Sequence, residues 1–368
     1  MTWIRDQSDK HHFITTLEAL DLQIKILKNM KQLILITLLF FVLPLSSKAQ
    51  RVVALHNTSG ASMYSSTNPF VDAYNDAVDG DTIYLPGGAF TPPTLIDKQL
   101  TIIGAGYHPD STTATFPTLI SAQVSLGENA DNCHIEGIEF GSHFLIENQA
   151  SVNNLIVKRC KINGNFQVQG NLTTPCTNFG IVESIFESRV YGDNLTNSSF
   201  NNCFFTDQLI RSNSNVVKNS IFFRIGSSGT YVSTDSENTT YSNNIFVGSS
   251  GYVISGTGNI IYNNIFEDDS PILGGSPITN GNYYDIPQVD IFVNQTGNTF
   301  DYAHDYQLQS PATYQGTDGT PVGVYGGVFP YKAGAVPFNP HIRFKNIAPQ
   351  TDNNGELSIE VHVGAQNN

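Results

Sequence analysis

A short phrase returns seven times between residues 138 and 266: a small or polar residue, a variable position, then a large apolar one. It reads Ile138-Glu-Phe140, Cys160-Lys-Ile162, Ser184-Ile-Phe186, Cys203-Phe-Phe205, Ser220-Ile-Phe222, Asn244-Ile-Phe246 and Asn264-Ile-Phe266, in steps of 22, 24, 19, 17, 24 and 20 residues. Recurrence at such a period marks a solenoid, whose units cannot bury their own apolar faces and must stack on one another. Asn282-Tyr-Tyr284 extends the register by 18 residues as an eighth phrase. Between phrases lie runs rich in Val, Ile, Phe and Tyr broken by Asn, Ser, Thr and Gly, the punctuation of short strands and turns rather than of helices.

The stacking logic assigns roles. The Phe column at 140, 186, 205, 222, 246 and 266 reads as an internal stack, because inward aromatics on successive coils bury large areas; a sugar-stacking platform is the alternative. Asparagine tolerates left-handed backbone, so Asn202, Asn219, Asn243, Asn244, Asn263 and Asn264 suit a tight bend and a hydrogen-bonded side-chain ladder along it. Cys160 and Cys203 share a phrase position two coils apart, roughly 9.6 Å, too far for a disulfide, and read as small buried groups. Cys133 and Cys176 are left open.

Ahead of the array, Lys31 is followed by an apolar run from Leu33 to Leu45 and then Ser47-Lys-Ala49, the pattern of a secretory signal cut after Ala49. Met30 makes residues 1–29 an upstream extension. The expected product is secreted or displayed at the cell surface. Past residue 49 there are 12 basic and 28 acidic residues, a net charge of −16. Such a surface repels nucleic acid and anionic membranes, so neither is expected as a partner, and no membrane insertion is expected once the signal is removed. Asn68-Pro69 and the spacing of Phe70, Ala73, Tyr74 and Ala77, ending at Gly80, predict a short amphipathic helix that closes the open end of a sheet.

Gly80-Asp-Thr-Ile83, Pro86-Gly-Gly88 and Lys98-Gln-Leu-Thr-Ile-Ile-Gly104 follow that helix as the strands and turns of a first coil. In this order they resemble the opening of the right-handed parallel β-helix proteins of the pectin-lyase-like superfamily. Tyr306-Gln-Leu-Gln-Ser-Pro-Ala312 and the glycine-rich Gly316–Gly327 resemble the closing segment of secreted β-helix proteins of Bacteroidetes. The expected fold class is all-β, a right-handed parallel β-helix over residues 50–335, with residues 336–368 holding a strand pair (341–347 with 356–363) that caps or extends from the far end.

The superfamily includes lyases, hydrolases, esterases and non-catalytic adhesive proteins, so activity has to be argued from residues. The resemblance implies, for a polygalacturonase-like hydrolase, Asn-Thr-Asp, Asp-Asp, Gly-His-Gly and Arg-Ile-Lys motifs; only Asp268-Asp269 is present. For a pectate-lyase-like enzyme it implies Trp-x-Asp-His and Arg-x-Pro-x-x-Arg with Ca²⁺; neither motif occurs, and the one tryptophan, Trp3, lies in the leader. His134, His143, His304 and His341 have no metal-pair spacing and no nucleophile partner, so no metal or other cofactor is expected, Ca²⁺ entering only if the protein is a lyase. Glu187 and Glu267 share a coil position four coils apart, too far to act on one bond.

Among the sparse cations of the coils, Lys158, Arg159, Lys161, Arg189, Arg211, Lys218 and Arg224, one pairing is forecast. Asp207 and Arg224 fall four residues past successive phrase anchors, about one strand spacing apart, and should form an ion pair. Arg189, Asp207, Arg211 and Arg224 are the candidate substrate-binding residues; no catalytic residue is assigned. The expected activity is non-catalytic polysaccharide binding or a structural, adhesive role, with a lyase or hydrolase of uronate-containing polysaccharide as the alternative. Exposed aromatics on one surface would favour binding; carboxylates clustered with a base would favour chemistry.

Overall fold

The computed structural model describes residue 28 and residues 51–224, 230–248, 251–332, 334, 336, 337 and 340–365. The leader assigned to residues 1–49 lies, but for Lys28, outside the described residues, and no helix among them is long and apolar enough to cross a membrane. From Arg51 onward the chain is a β-solenoid built on three long sheets of twelve, nine and eight strands. Sheet 1 runs from Gly60–Tyr64 to Ile278–Asn280, sheet 2 from Gly88–Phe90 to Ile265–Phe266, and sheet 3 from Val124–Leu126 to Ile272–Leu273. All neighbours pair in parallel except at the start of sheet 1, where Val53–Asn57 pairs antiparallel with both Gly60–Tyr64 and Thr82–Tyr84.

Each repeat of the phrase is the passage from sheet 1 into sheet 2. The residue just before the phrase takes left-handed backbone at Arg159, Glu183, Asn202, Asn219, Asn243 and Asn263, which turns the chain sharply between two strands. The last residue of the phrase points inward. Phe186, Phe205, Phe222, Phe246 and Phe266 stack face to face with centroids 4.5 to 5.2 Å apart, and Tyr284 continues the pile at 5.5 Å. The expected core column is therefore present, as is the eighth phrase. On the opposite wall Ile135, Val157, Ile181, Phe200, Val217, Tyr241 and Ile261 stand in register and are buried.

The asparagines divide between two jobs. At the first phrase position, Asn244, Asn264 and Asn282 form an internal ladder: the amides of Ser220, Asn244 and Asn264 donate to the next Oδ1 at 2.9, 2.8 and 2.9 Å. The left-handed Asn202, Asn219, Asn243 and Asn263 are not in that ladder. Asn202 donates to the carbonyls of Val324 and Gly326 at 2.8 Å each, and Asn263 to that of Gln315 at 3.2 Å.

Those carbonyls belong to a segment, residues 286–337, that returns along the outside of sheet 2 toward the first coil. The middle residue of the phrase, read from sequence as variable, faces this segment. Ile185, Phe204, Ile221, Ile245 and Ile265 are fully buried there against Ile291, Phe292, Tyr306, Val322, Val324 and Tyr331. A second, smaller core thus lies outside the solenoid. Near its end the segment is held by a buried charge network: Arg159 bonds Glu183 at 2.9 Å, approaches Glu136 at 3.5 Å, and donates to the carbonyl of Val336 at 3.1 Å.

Three details depart from the sequence reading. The runs at residues 82–84 and 101–103 are equivalent strands of sheet 1 on successive coils, not one coil. The predicted helix forms at Pro69–Asp76, but Asn68 makes no side-chain cap and the helix ends four residues before Gly80. The terminal strand pair, His341–Ile347 with Ile359–Gly364, starts beside the first coil, where Pro340, His341 and Ile342 line a cleft with Val52, Ala54, Tyr84 and Ile103. The returning segment carries it to the near end rather than the far one.

All four cysteines are free and buried. Burial pushes the thiols of Cys133 and Cys176 up to about 11 and those of Cys160 and Cys203 to about 12, and the reactive species is the thiolate. A maleimide reagent at neutral pH should therefore label none of them in the native protein and all four after denaturation without reductant; fewer in the denatured sample would reveal a disulfide.

Candidate functional site

The outer face of sheet 3 carries a group of charged side chains beside the half-buried Tyr191. Val190, Leu209 and Ser233 stand in register and point inward, fully buried. Alternation then turns the next residues, Tyr191, Ile210 and Thr234, outward. Arg189, Tyr191 and Asp193 stand at every second position, Tyr191 in the strand Val190–Tyr191 and Asp193 in the turn that follows it.

All four sequence-predicted site residues come together here. Asp207 sits between two guanidiniums, pairing with Arg224 and lying 3.5 Å from Arg189 Nε. The forecast Asp207–Arg224 pair is present, and Arg189, on the preceding coil, makes it a triad. Arg189 Nη1 donates to the Tyr191 hydroxyl at 3.3 Å. The Arg211 guanidinium lies 5.8 Å from the centroid of that ring while its Nε bonds Asp193. Bonding to Tyr191 raises the Arg189 guanidinium, and bonding to Asp193 raises that of Arg211. Arg189 and Arg211 keep 46% and 48% of their side chains in solvent, so their pairs orient the groups more than they stabilise the fold.

On the coils that follow, the rings of Tyr231 and Tyr252 meet edge to face at 5.4 Å. Gln208 donates to the Tyr231 carbonyl at 2.9 Å and to the Thr234 hydroxyl at 3.0 Å, fixing that end. Tyr191 and Asp193 were absent from the sequence-derived set, although their alternation with Arg189 was the signal that finds them.

A second polar group lies on sheet 2, against Tyr302 of the returning segment. Lys161 Nζ is 3.3 Å from Glu187 and 5.1 Å from the Tyr302 ring centroid. Asn163 donates to Glu139 at 2.9 Å, and His108 packs edge-on to Tyr302 at 4.7 Å. Burial alone would lower Lys161, but Tyr302, Glu187 and Glu139 outweigh it and hold the amine protonated beyond its ordinary range. Burial likewise raises Tyr302 and keeps its hydroxyl protonated.

Two of the histidines have close polar neighbours. His134 Nε2 lies 3.2 Å from the buried Glu136, and His304 Nδ1 is 3.4 Å from the Tyr306 hydroxyl. Among the described residues no group of three or more His, Cys, Asp or Glu is placed to hold a metal ion. The chain matches no protein-family model, and no curated protein matches it.

Proposed function

We propose that the protein is an exported, non-catalytic β-solenoid that binds polysaccharide along the outer face of sheet 3. One observation carries the reading: the Tyr191 ring, its hydroxyl bonded by Arg189 and its face approached by the Arg211 guanidinium. A ring with fixed orientation offers a sugar an apolar face to stack on, and the flanking guanidiniums and carboxylates offer donors and acceptors for its hydroxyls. Asp193 and Asp207 sit among Arg189, Arg211 and Arg224, so the strip is close to charge-balanced on a chain of strongly negative net charge. That balance suits a neutral glycan better than a polyanion, which the rest of the surface repels.

The enzymatic alternative, a lyase or hydrolase of uronate-containing polysaccharide, has Lys161, Tyr302, Glu139 and Glu187 in its favour. It has chemistry against it. Proton abstraction needs a base with a free lone pair near the working pH, whereas Lys161 and Tyr302 are both held protonated and Glu187 is engaged by Lys161.

A glycan array followed by titration calorimetry tests the proposal. Tyr191→Ala should weaken binding of the captured glycan by about 1–3 kcal/mol, roughly 5- to 150-fold, as expected for a central aromatic contact, while Lys161→Ala leaves it unchanged. Absence of any captured glycan, or release of unsaturated or reducing products from uronate polymers by an activity that Lys161→Ala abolishes, would overturn it.

A further inference from the structure

The strand pair His341–Ile347 and Ile359–Gly364 stands almost bare: every residue is exposed except His341 and Gly364, which are half-buried. Its register places Ile347 opposite Ile359, Lys345 opposite Val361, and Ile342 opposite Val363, so five apolar side chains and one lysine share a face. Val363 is 62% exposed and Ile359 59%. A two-stranded ribbon with an uncovered apolar face is marginal in water and calls for a cover.

The opposite end of the solenoid has a complementary deficiency. Ile278–Asn280 closes sheet 1 and Ile272–Leu273 closes sheet 3, and neither has a strand on its outer side. Ile278 is 69% exposed. Free edges with exposed apolar residues are templates for pairing with another chain.

Charge decides which partner fits. Between Arg224 and Lys332 the sequence contains no lysine or arginine, while Asp268, Asp269 and Asp285 lie around the last coil, with the Asp285 amide bonded to the Asp268 carbonyl at 3.2 Å. The strand His341–Ile347 carries Arg343 and Lys345 and no acid. The two surfaces of one chain cannot meet. The pair starts beside the first coil, and the steps along sheet 1 from Thr82–Tyr84 to Ile278–Asn280, at ~4.8 Å each, put the open end roughly 40 Å away.

We infer that the strand pair of one copy docks on the open end of a second copy, with Arg343 and Lys345 facing Asp268, Asp269 and Asp285 and the strand His341–Ile347 extending the partner's sheet. The contact is heterologous, so repetition gives linear assemblies rather than a closed dimer. It does not depend on glycan binding and is tested without glycan.

Sedimentation velocity over a range of concentrations should show mass growing past the dimer without a plateau and shrinking as salt is raised. The double variants Arg343→Glu/Lys345→Glu and Asp268→Lys/Asp269→Lys should each lower self-association by about tenfold or more, with unchanged circular dichroism. Mixed in equal amounts, they should assemble again, because each reversed surface then meets its complement. A monomer at every concentration, a closed dimer, or assembly indifferent to both charge reversals would overturn the inference.

Discussion

Phe222→Ala should cost about 3–5 kcal/mol, the range for removing a large aromatic from a close-packed core, and should do so from the middle of the array. Phe222 is fully buried, with Phe205 and Phe246 stacked on its two faces at 4.5 and 4.7 Å. Neither neighbour can close the gap, because each is fixed to its own coil by the parallel ladders of sheet 2. In a solenoid each coil is stabilised chiefly by its neighbours, so a weakened interface divides the array into two less cooperative halves. Urea denaturation followed by circular dichroism should show a lower midpoint. Hydrogen exchange should speed up first in the strands flanking residue 222. Phe222→Leu, which keeps most of the volume, should lose less than half as much stability; equal losses for the two variants would mean that the cavity is not the cause.

That stack was the legible part of the chain. A period of about twenty residues with one invariantly large position specifies stacking directly, since only inward residues of equivalent strands repeat so closely. The Asp207–Arg224 pair was legible for the same reason: positions counted from the phrase become neighbours on adjacent coils. The second core was not. Ile185, Ile221, Ile245 and Ile265 look like ordinary strand residues, and what buries them is a segment far along the chain with no period of its own. The two kinds of asparagine were merged for a related reason, because left-handed backbone and ladder formation both select asparagine, and only the location of the returning segment separates them. Tyr191 escaped because it belongs to the sheet 3 strand, beyond the phrase that set the register.

Arg159→Met should be about as damaging as the loss of Phe222, by a different route. Arg159 is fully buried and takes left-handed backbone at φ 49°, where Asn202, Asn219, Asn243 and Asn263 stand on later coils. Its guanidinium holds Glu183 and Glu136, both buried, and bonds the returning segment at Val336. Removing the cation takes away the charge partner that two buried carboxylates share, which costs about 3–5 kcal/mol. Arg159→Asn separates the backbone from the charge: it relieves the left-handed position but leaves the carboxylates uncompensated, so it should remain strongly destabilised. Adding Glu136→Gln and Glu183→Gln should recover much of the loss, whereas a purely steric role for Arg159 predicts no recovery. The same network sets a pH dependence. Burial pushes Glu136 up, but the His134 ring, 3.2 Å away, and the charges of Arg159 and Lys158 outweigh it and leave its carboxyl below the usual range. A depressed carboxylate contributes stability that is complete above the unfolded value, about 4.3, and is lost as pH falls through the lower folded value. The wild-type urea midpoint should therefore drop on acidification below about pH 4, and the variant carrying all three substitutions should lose part of that dependence, because the carboxylate whose titration drives it is gone.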